Sequence, residues 1–363
     1  MNILVDINHP CHIYLFKNFI SEMVRRNNHV IITAKENKSI LRLLQLNNIS
    51  YIGMGHSRDG ILFKIIKQFK DSYKISKMSK KFKIDLAIGV SISIPQASLF
   101  SKYKSIMLDD DDDSVVPFST RFAHPFADCI MSPDVLKGKR KRKDTIYYAG
   151  YHELAYLHPN RFTPDPSVLT EVGLRIDDVF FIMRFNAFKA HHDSGAIGLT
   201  LDQKLNLVKI LSSQGRVFIS TERDIEPELL NYQLTVSPDK IHSLLFFATM
   251  FIGDSQTMTS EAAVLGVPSI RCNSFVGQIA YLEEEEHKYG LTYGFKPENF
   301  ALLIVKVHEL LKIENLKEKW KFRRQRMLDD KIDVTAFMVW FVENYPESSR
   351  IIKEDPDYQY QFK

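Results

Sequence analysis

A chain of 363 residues exceeds one compact domain of ordinary size and suits two. With 45% hydrophobic and 25% charged residues it has globular composition, and a formal net charge of +4 calls for no nucleic-acid partner. Three widely spaced cysteines, Cys11, Cys129 and Cys272, argue against a disulfide framework or a cysteine zinc site and for a reduced, cytoplasmic setting. The opening MNILVDINHP reads as a strand and a break rather than a signal peptide, and no apolar run approaches the roughly 20 residues of a membrane span.

The first elements alternate as strand, turn, helix, strand. Asn2 to Ile7 is a β-branched run, followed by the turn Asn8-His9-Pro10-Cys11-His12. Ile13, Phe16, Phe19, Ile20 and Met23 recur at helical spacing, Asn27-Asn28 closes the helix, and His29 to Thr33 is the next strand. This order opens a doubly wound sheet. His9 and His12, in the first βα turn, are candidates for proton transfer or for the acceptor side, the alternative being that they cap or pack the loop. No GxGxxG occurs, which argues against a dinucleotide oxidoreductase.

Residues 61–83 form a basic amphipathic segment. Ile61, Phe63, Ile65, Ile66, Phe69, Tyr73 and Ile75 supply its apolar side, and eight lysines its charge. It reads as a solvated helix packed on the sheet, with docking on an anionic membrane surface as the other reading. Asp85 to Gly89 and Lys104 to Leu108 are strands, with a helix between them through Phe100. The second runs into Asp109-Asp110-Asp111-Asp112-Asp113. Adjacent carboxylates repel, so a cation, the neighbouring Arg121 and His124, or solvent must offset them. The reading adopted is that one or two of Asp109, Asp110 and Asp111 act as acid or base, with no bound metal. Ala127 to Met131 is a strand, Lys137 to Lys143 an exposed basic loop, and Tyr147 to Gly150 ends the first sheet. The Pro-rich HPNRFTPDPS is the linker.

The second half repeats the alternation. Val179 to Met183 is a strand ending in Arg184, followed by His191-His192-Asp193. Arg184 suits a phosphate; His191 or His192 suits a leaving diphosphate or a base oriented by Asp193. Adjacent histidines without a third ligand argue against zinc. Leu205 to Leu211 is helical, Arg216 to Ser220 a strand, and Ile241-His242 opens a helix through Ala248. The central stretch is MFIGDSQTMTSEAAVLGVPSIRCNS: a strand at Met250–Ile252, a hydroxyl-rich turn, a helix from Thr259 to Leu265 ended by Gly266, and another strand. Ligands of open α/β sheets bind at such carboxyl ends, and a helix start with Ser255, Thr257 and Thr259 makes a phosphate seat. Glu261, one to two turns in, is placed to accept from two ribose hydroxyls. Arg271, Asn273, Ser274 and Gly277 form a loop able to reach a sugar, Glu283 to Glu286 a solvated helix face, and Tyr289-Gly290-Leu291 a turn. Helices follow at 297–311, 316–327 and 334–345.

The order Asp254-Ser255-x-x-x-x-x-Glu261-Ala262-x-x-Leu265-Gly266-Val267-Pro268 resembles the donor-nucleotide loop of GT-B-fold sugar enzymes. It is most similar to the non-hydrolysing UDP-GlcNAc 2-epimerases and more loosely to the MurG-type glycosyltransferases. Where those epimerases carry two glycines after the serine, this chain has Gln256 and Thr257. The whole chain resembles DUF354, an uncharacterised family. The resemblance implies an α/β, GT-B-like fold, with two doubly wound Rossmann-type domains facing a central cleft. It implies an N-terminal domain over 1–158, a nucleotide-sugar domain over 159–330, and a final helix with a polar tail, 331–363, returning to the first. It places the donor on Arg184, His242, Asp254, Ser255, Gln256, Thr257, Met258, Thr259 and Glu261, and the catalytic side on His9, His12, Asp109–Asp111, His191 and His192. The expected activity is a glycosyltransferase of surface polysaccharide or glycoconjugate assembly. It would use a UDP-linked sugar as substrate rather than a cofactor, and a saccharide or lipid-linked acceptor. A nucleotide-sugar epimerase and a non-catalytic sugar-nucleotide binder are the alternatives. The expected location is the cytoplasm, with peripheral contact at the inner face of the membrane as its variant.

Overall fold

Parallel strands need crossover helices, and this chain supplies them throughout. The computed structural model describes residues 1–56, 60–185, 198–221 and 225–363. It divides into two units, Met1–Arg161 with Lys331–Lys363, and Phe162–Asp330.

In the first unit, β1 (Asn2–Ile7), β2 (His29–Ala34), β3 (Ile52–Gly53), β4 (Leu86–Gly89), β5 (Lys104–Leu108), β6 (Cys129–Pro133) and β7 (Ile146–Tyr148) pair in the order β3-β2-β1-β4-β5-β6-β7, all parallel. The chain winds outward from β1 in one direction and from β4 in the other, so the topological switch lies between them. Helices α1 (Pro10–Arg25), α2 (Lys38–Leu46), α3 (Ile61–Lys81), α4 (Ser93–Ser98) and α5 (Pro117–Phe122) make the crossovers from β1 to β6, and α6 (Leu154–Leu157) follows β7. Pro10 presets the first turn of α1 and the His9 side chain caps it by accepting from the Cys11 N–H, so His9 does serve as a cap. Ile13, Phe16, Phe19 and Met23 of α1 are buried. Leu4, Ile31, Ile75, Ala87, Ile94 and Tyr103 form a further core.

In the second unit the described elements are α7 (Ser167–Glu171), β8 (Phe180–Phe185), α8 (Leu201–Ser212), β9 (Arg216–Thr221), α9 (Ile241–Phe247), β10 (Met250–Gly253), α10 (Gln256–Leu265), β11 (Ser269–Cys272), α11 (Ala280–His287), β12 (Thr292–Phe295), α12 (Phe300–Leu311) and α13 (Leu316–Asp330). Its parallel sheet runs β12-β11-β10-β8-β9, with the switch between β8 and β10. Gly253 is required there: a Cβ at this position would lie 2.3 Å from the Arg184 carbonyl oxygen on the neighbouring strand.

The last segment returns to the first unit as α14 (Val334–Glu343) and α15 (Glu347–Glu354). The stretch expected to be a polar tail is folded. Trp340 stacks near Tyr358 and Phe362, and the Gln359 Oε1 accepts from the Ala149 N–H at 2.6 Å.

Four other readings are corrected. Arg140 of the supposed exposed basic loop is buried, because it neutralises carboxylates. The acidic run on α11 is not simply solvated: Glu285 is buried and accepts from Ser260, and Glu283 pairs with Arg271. Arg271, expected in a sugar-facing loop, is itself fully buried. Beyond the turn at Tyr289–Leu291 lies the unread strand β12.

Candidate functional site

Two groups of polar residues gather at the carboxyl ends of the two sheets. In the second unit, β10 ends in Gly253, Asp254 and Ser255, and α10 begins at Gln256, earlier than its apolar periodicity indicates. Ser255 is the N-cap and its hydroxyl accepts from the Met258 N–H at 3.3 Å. The Thr259 hydroxyl donates to the Ser255 carbonyl at 2.6 Å and is buried, as is the Met258 side chain. Gln256 and Thr257 are half-buried. As first-turn residues their N–H groups have no intrahelical acceptor, which with the helix dipole suits an anion.

Arg184 registers against Gly253 across the β8–β10 pair, beside the switch point, and its Nη1 donates to the Ser220 hydroxyl of β9 at 2.6 Å. The Asp254 N–H donates to the Arg184 carbonyl, and buried Asn273 holds the Asp254 carbonyl at 2.9 Å. Glu261 is only 4% exposed and meets the His242 Nε2 at 2.9 Å. Two positions expected on the donor, Glu261 on its ribose, are thus one buried pair, with the Phe162 ring edge-on to the imidazole. His191 and His192 lie outside the described residues.

In the first unit the polar group spans the ends of β1, β4, β5 and β7. Asp6 is buried and accepts from the Thr33 hydroxyl at 2.6 Å and from Asn8 at 3.1 Å; burial raises its carboxyl, which these hydrogen bonds partly offset. His12 Nδ1 accepts from the Asn8 N–H at 3.3 Å. Burial, then the nearby His9 and His152, hold His12 well below the ordinary imidazole value, so it is neutral at neutral pH.

The carboxylate run is resolved residue by residue. Asp109 meets His124 Nε2 at 2.7 Å and Arg140 at 3.2 Å. Burial acts to raise it, but the His124 hydrogen bond and the charges of Arg140 and His124 prevail and hold it below the ordinary value. Asp113 takes Arg140 at 2.7 Å. Asp110 pairs with His152 Nδ1 at 2.9 Å. Asp111 is pushed well above the ordinary carboxyl value by burial and then by Asp110 and Asp109. One oxygen each of Asp109, Asp110 and Asp111 lies within 4.8 Å of the others, a spacing open to a hard cation. Two of the three are already engaged by basic side chains.

His152 was not singled out from the sequence. Its Nε2 has no hydrogen-bond partner among the described residues, while its Nδ1 faces a carboxylate. That is the arrangement of an oriented base. The Tyr148 hydroxyl, buried at the end of β7, is likewise without a partner among the described residues. The available signal was position: Tyr148 ends, and His152 closely follows, a strand that runs parallel to β6 and so to β5.

The comparisons agree with this architecture. A crystal structure of the Methanocaldococcus jannaschii UDP-GlcNAc 2-epimerase in complex with UDP-GlcNAc and UDP is similar with a TM-score of 0.61 and 14% identity, over 91% of this chain and 99% of that one. A spinosyn rhamnosyltransferase complexed with spinosyn aglycone is similar with a TM-score of 0.59 and 12% identity, over 95% and 100%. At such identities the likeness shows the fold: two Rossmann-type domains of the GT-B kind. An uncharacterised protein of Methanocaldococcus jannaschii is 20% identical over 79% of this chain and 86% of its own length. The family described as a protein of unknown function, DUF354, matches residues 1–293, and the chain belongs to it.

Proposed function

We propose that this chain is a nucleotide-sugar-dependent glycosyltransferase with a UDP-linked donor, acting on a saccharide or lipid-linked acceptor in surface-glycan assembly. The observation carrying the reading is the switch point of the second sheet. The open first turn of α10, Arg184 and the Glu261–His242 pair all stand at or beside it. The diphosphate would take the Gln256 and Thr257 amides and Arg184, and the ribose would take Glu261. Structures of the same fold include an epimerase holding UDP-GlcNAc and UDP, which supports the choice of donor. Transfer of the sugar to an acceptor hydroxyl breaks the bond from the anomeric carbon to the diphosphate, and the charge that develops on the diphosphate would be stabilised at the α10 N-terminus. In the first unit, His152, oriented by Asp110, would be the general base that takes an acceptor hydroxyl proton.

One observation favours a second reading, nucleotide-sugar epimerisation. Asp111, whose carboxyl is pushed up by burial and by Asp110 and Asp109, lies beside the Asp110–His152 pair, which sets a candidate acid next to a candidate base with no acceptor required. Incubating a UDP-sugar with and without acceptor separates the two: release of UDP only with acceptor supports transfer, and an isomerised sugar without acceptor supports epimerisation. For the donor site, Glu261→Ala should weaken binding by about 1–3 kcal/mol, the scale of hydrogen bonds to a charged group. Glu261→Gln, which keeps an acceptor for His242, controls for folding. Unchanged affinity in a folded Glu261→Ala protein would remove the assignment.

A further inference from the structure

Helix α3 is inverted relative to an ordinary surface helix. Its inward face is largely serine: Ser72 donates to Gln96 at 3.0 Å, Ser76 to the Phe100 carbonyl at 3.3 Å, and Ser79 to the Ser76 carbonyl. Gln68 adds a bond to Ser93 at 2.9 Å, and Ile75 and Met78 complete the buried side. Its outward face carries Phe63, Ile66, Phe69 and Tyr73, the last two 68% and 73% exposed. The packing that buries the serines brings further apolar side chains alongside. Leu99 and Phe100, at the end of α4, are exposed, Phe100 by 73%. Gln96 donates to the Phe122 carbonyl at 3.1 Å, which joins α5 to the group, and there Phe118 and Phe122 are also exposed. Around them stand the lysines of α3, with Lys70, Lys77, Lys80 and Lys81 exposed. The helix has one acidic residue, Asp71, which is paired with Lys67.

We propose that this face docks on an anionic lipid bilayer, with the aromatic and aliphatic side chains in the headgroup–acyl boundary and the lysines on the lipid phosphates. The combination selects the occupant. A second copy in a two-fold contact would set lysine against lysine. A nucleic acid would satisfy the lysines but leave Ile66 and Leu99 in water. No helix among the described residues is long and apolar enough to cross a membrane, so the contact is peripheral. The inference stands on the first unit's surface and does not depend on the donor site.

The test is co-sedimentation of the full chain with phosphatidylcholine vesicles, with and without phosphatidylglycerol. The wild type should sediment with the anionic vesicles at physiological salt and hardly with the neutral ones. Phe69→Ser with Phe100→Ser, and separately Lys70→Glu with Lys77→Glu, should each weaken binding by about tenfold or more. All four side chains are exposed, so melting temperature should be unchanged. Absence of binding to anionic vesicles, or variants that bind as the wild type does, would overturn the proposal. So would a dimer in solution that the same substitutions dissociate, which would assign the face to a second copy.

Discussion

Five consecutive carboxylates persist after β5 because they are not neutralised in the same way. Asp109 and Asp113 share Arg140, Asp109 also has His124, Asp110 has His152, and the Asp111 carboxyl is pushed well above its ordinary value by burial and by Asp110 and Asp109, which leaves Asp112 as the fifth. The raised Asp111 carboxyl has a defined consequence for stability. A carboxyl whose folded value is raised is penalised once pH exceeds the unfolded value, so stability falls as pH rises from there to the folded value and then levels off. Asp111→Asn removes that penalty. It should raise the melting temperature at neutral pH and leave it unchanged below the ordinary carboxyl value; an effect independent of pH would show that the proton is not held there. Asp109 has the opposite sign, its contribution being present at neutral pH and lost as pH falls through its depressed value. For His152, the catalytic reading predicts that His152→Ala lowers kcat by about 10²–10⁴ with donor affinity unchanged. Asp110→Asn should lose turnover in the same way, because the ring is then held without its carboxylate. Equal loss of donor affinity in these variants would mark a structural role instead.

At the scale of elements, the central unit depends on two positions around β10. Gly253→Ala forces a Cβ against the Arg184 carbonyl and should destabilise the second unit by about 1–3 kcal/mol or more, read as a lower denaturation midpoint. Ser255→Ala removes the α10 cap and should cost about 1 kcal/mol. The strand–turn–helix–strand order of this stretch was legible from its apolar periodicity and from Gly266, which takes a left-handed φ of 76° at the helix end. The start of α10 was not, because Gln256-Thr257 is polar and reads as loop until Ser255 is known to cap it. Short elements were missed for a related reason: β3 has two residues and β12 four, whereas α2, with an Asn37 cap and Ile40, Leu43 and Leu44 at helical spacing, was legible and went unread. In α3 the periodicity located the helix but only part of its inward side, because hydrogen bonds from Ser72 and Ser76, together with Ile75 and Met78, fix which face packs.

Across the whole chain, the alternation of strands and helices made two doubly wound sheets legible, since each βαβ step is local. The residues gathered at the ends of those sheets were only partly legible. Asp109–Asp111 lie directly after a strand and His12 in the first turn of the helix that follows one, whereas Arg140 and His152 reach the same edge only through the order β5-β6-β7. The final segment is also a whole-chain matter. Deleting Glu347–Lys363 would leave the Ala149 N–H without Gln359 and Trp340 without Tyr358 and Phe362. That should cost at least about 2 kcal/mol and lower the urea midpoint; an unchanged midpoint would mean the segment contributes nothing to the first unit. The central claim, a sugar-nucleotide seat at the switch point of the second sheet, is tested most directly by thermal unfolding with UDP, GDP, CMP, ADP and a set of UDP-sugars. A ligand bound only by the folded chain stabilises it by about 2.7 kcal/mol at a hundredfold excess over Kd. The account predicts a clear upward shift with UDP and at least one UDP-sugar, reduced in Glu261→Ala. No shift with any of these nucleotides, or one untouched by that substitution, would contradict it.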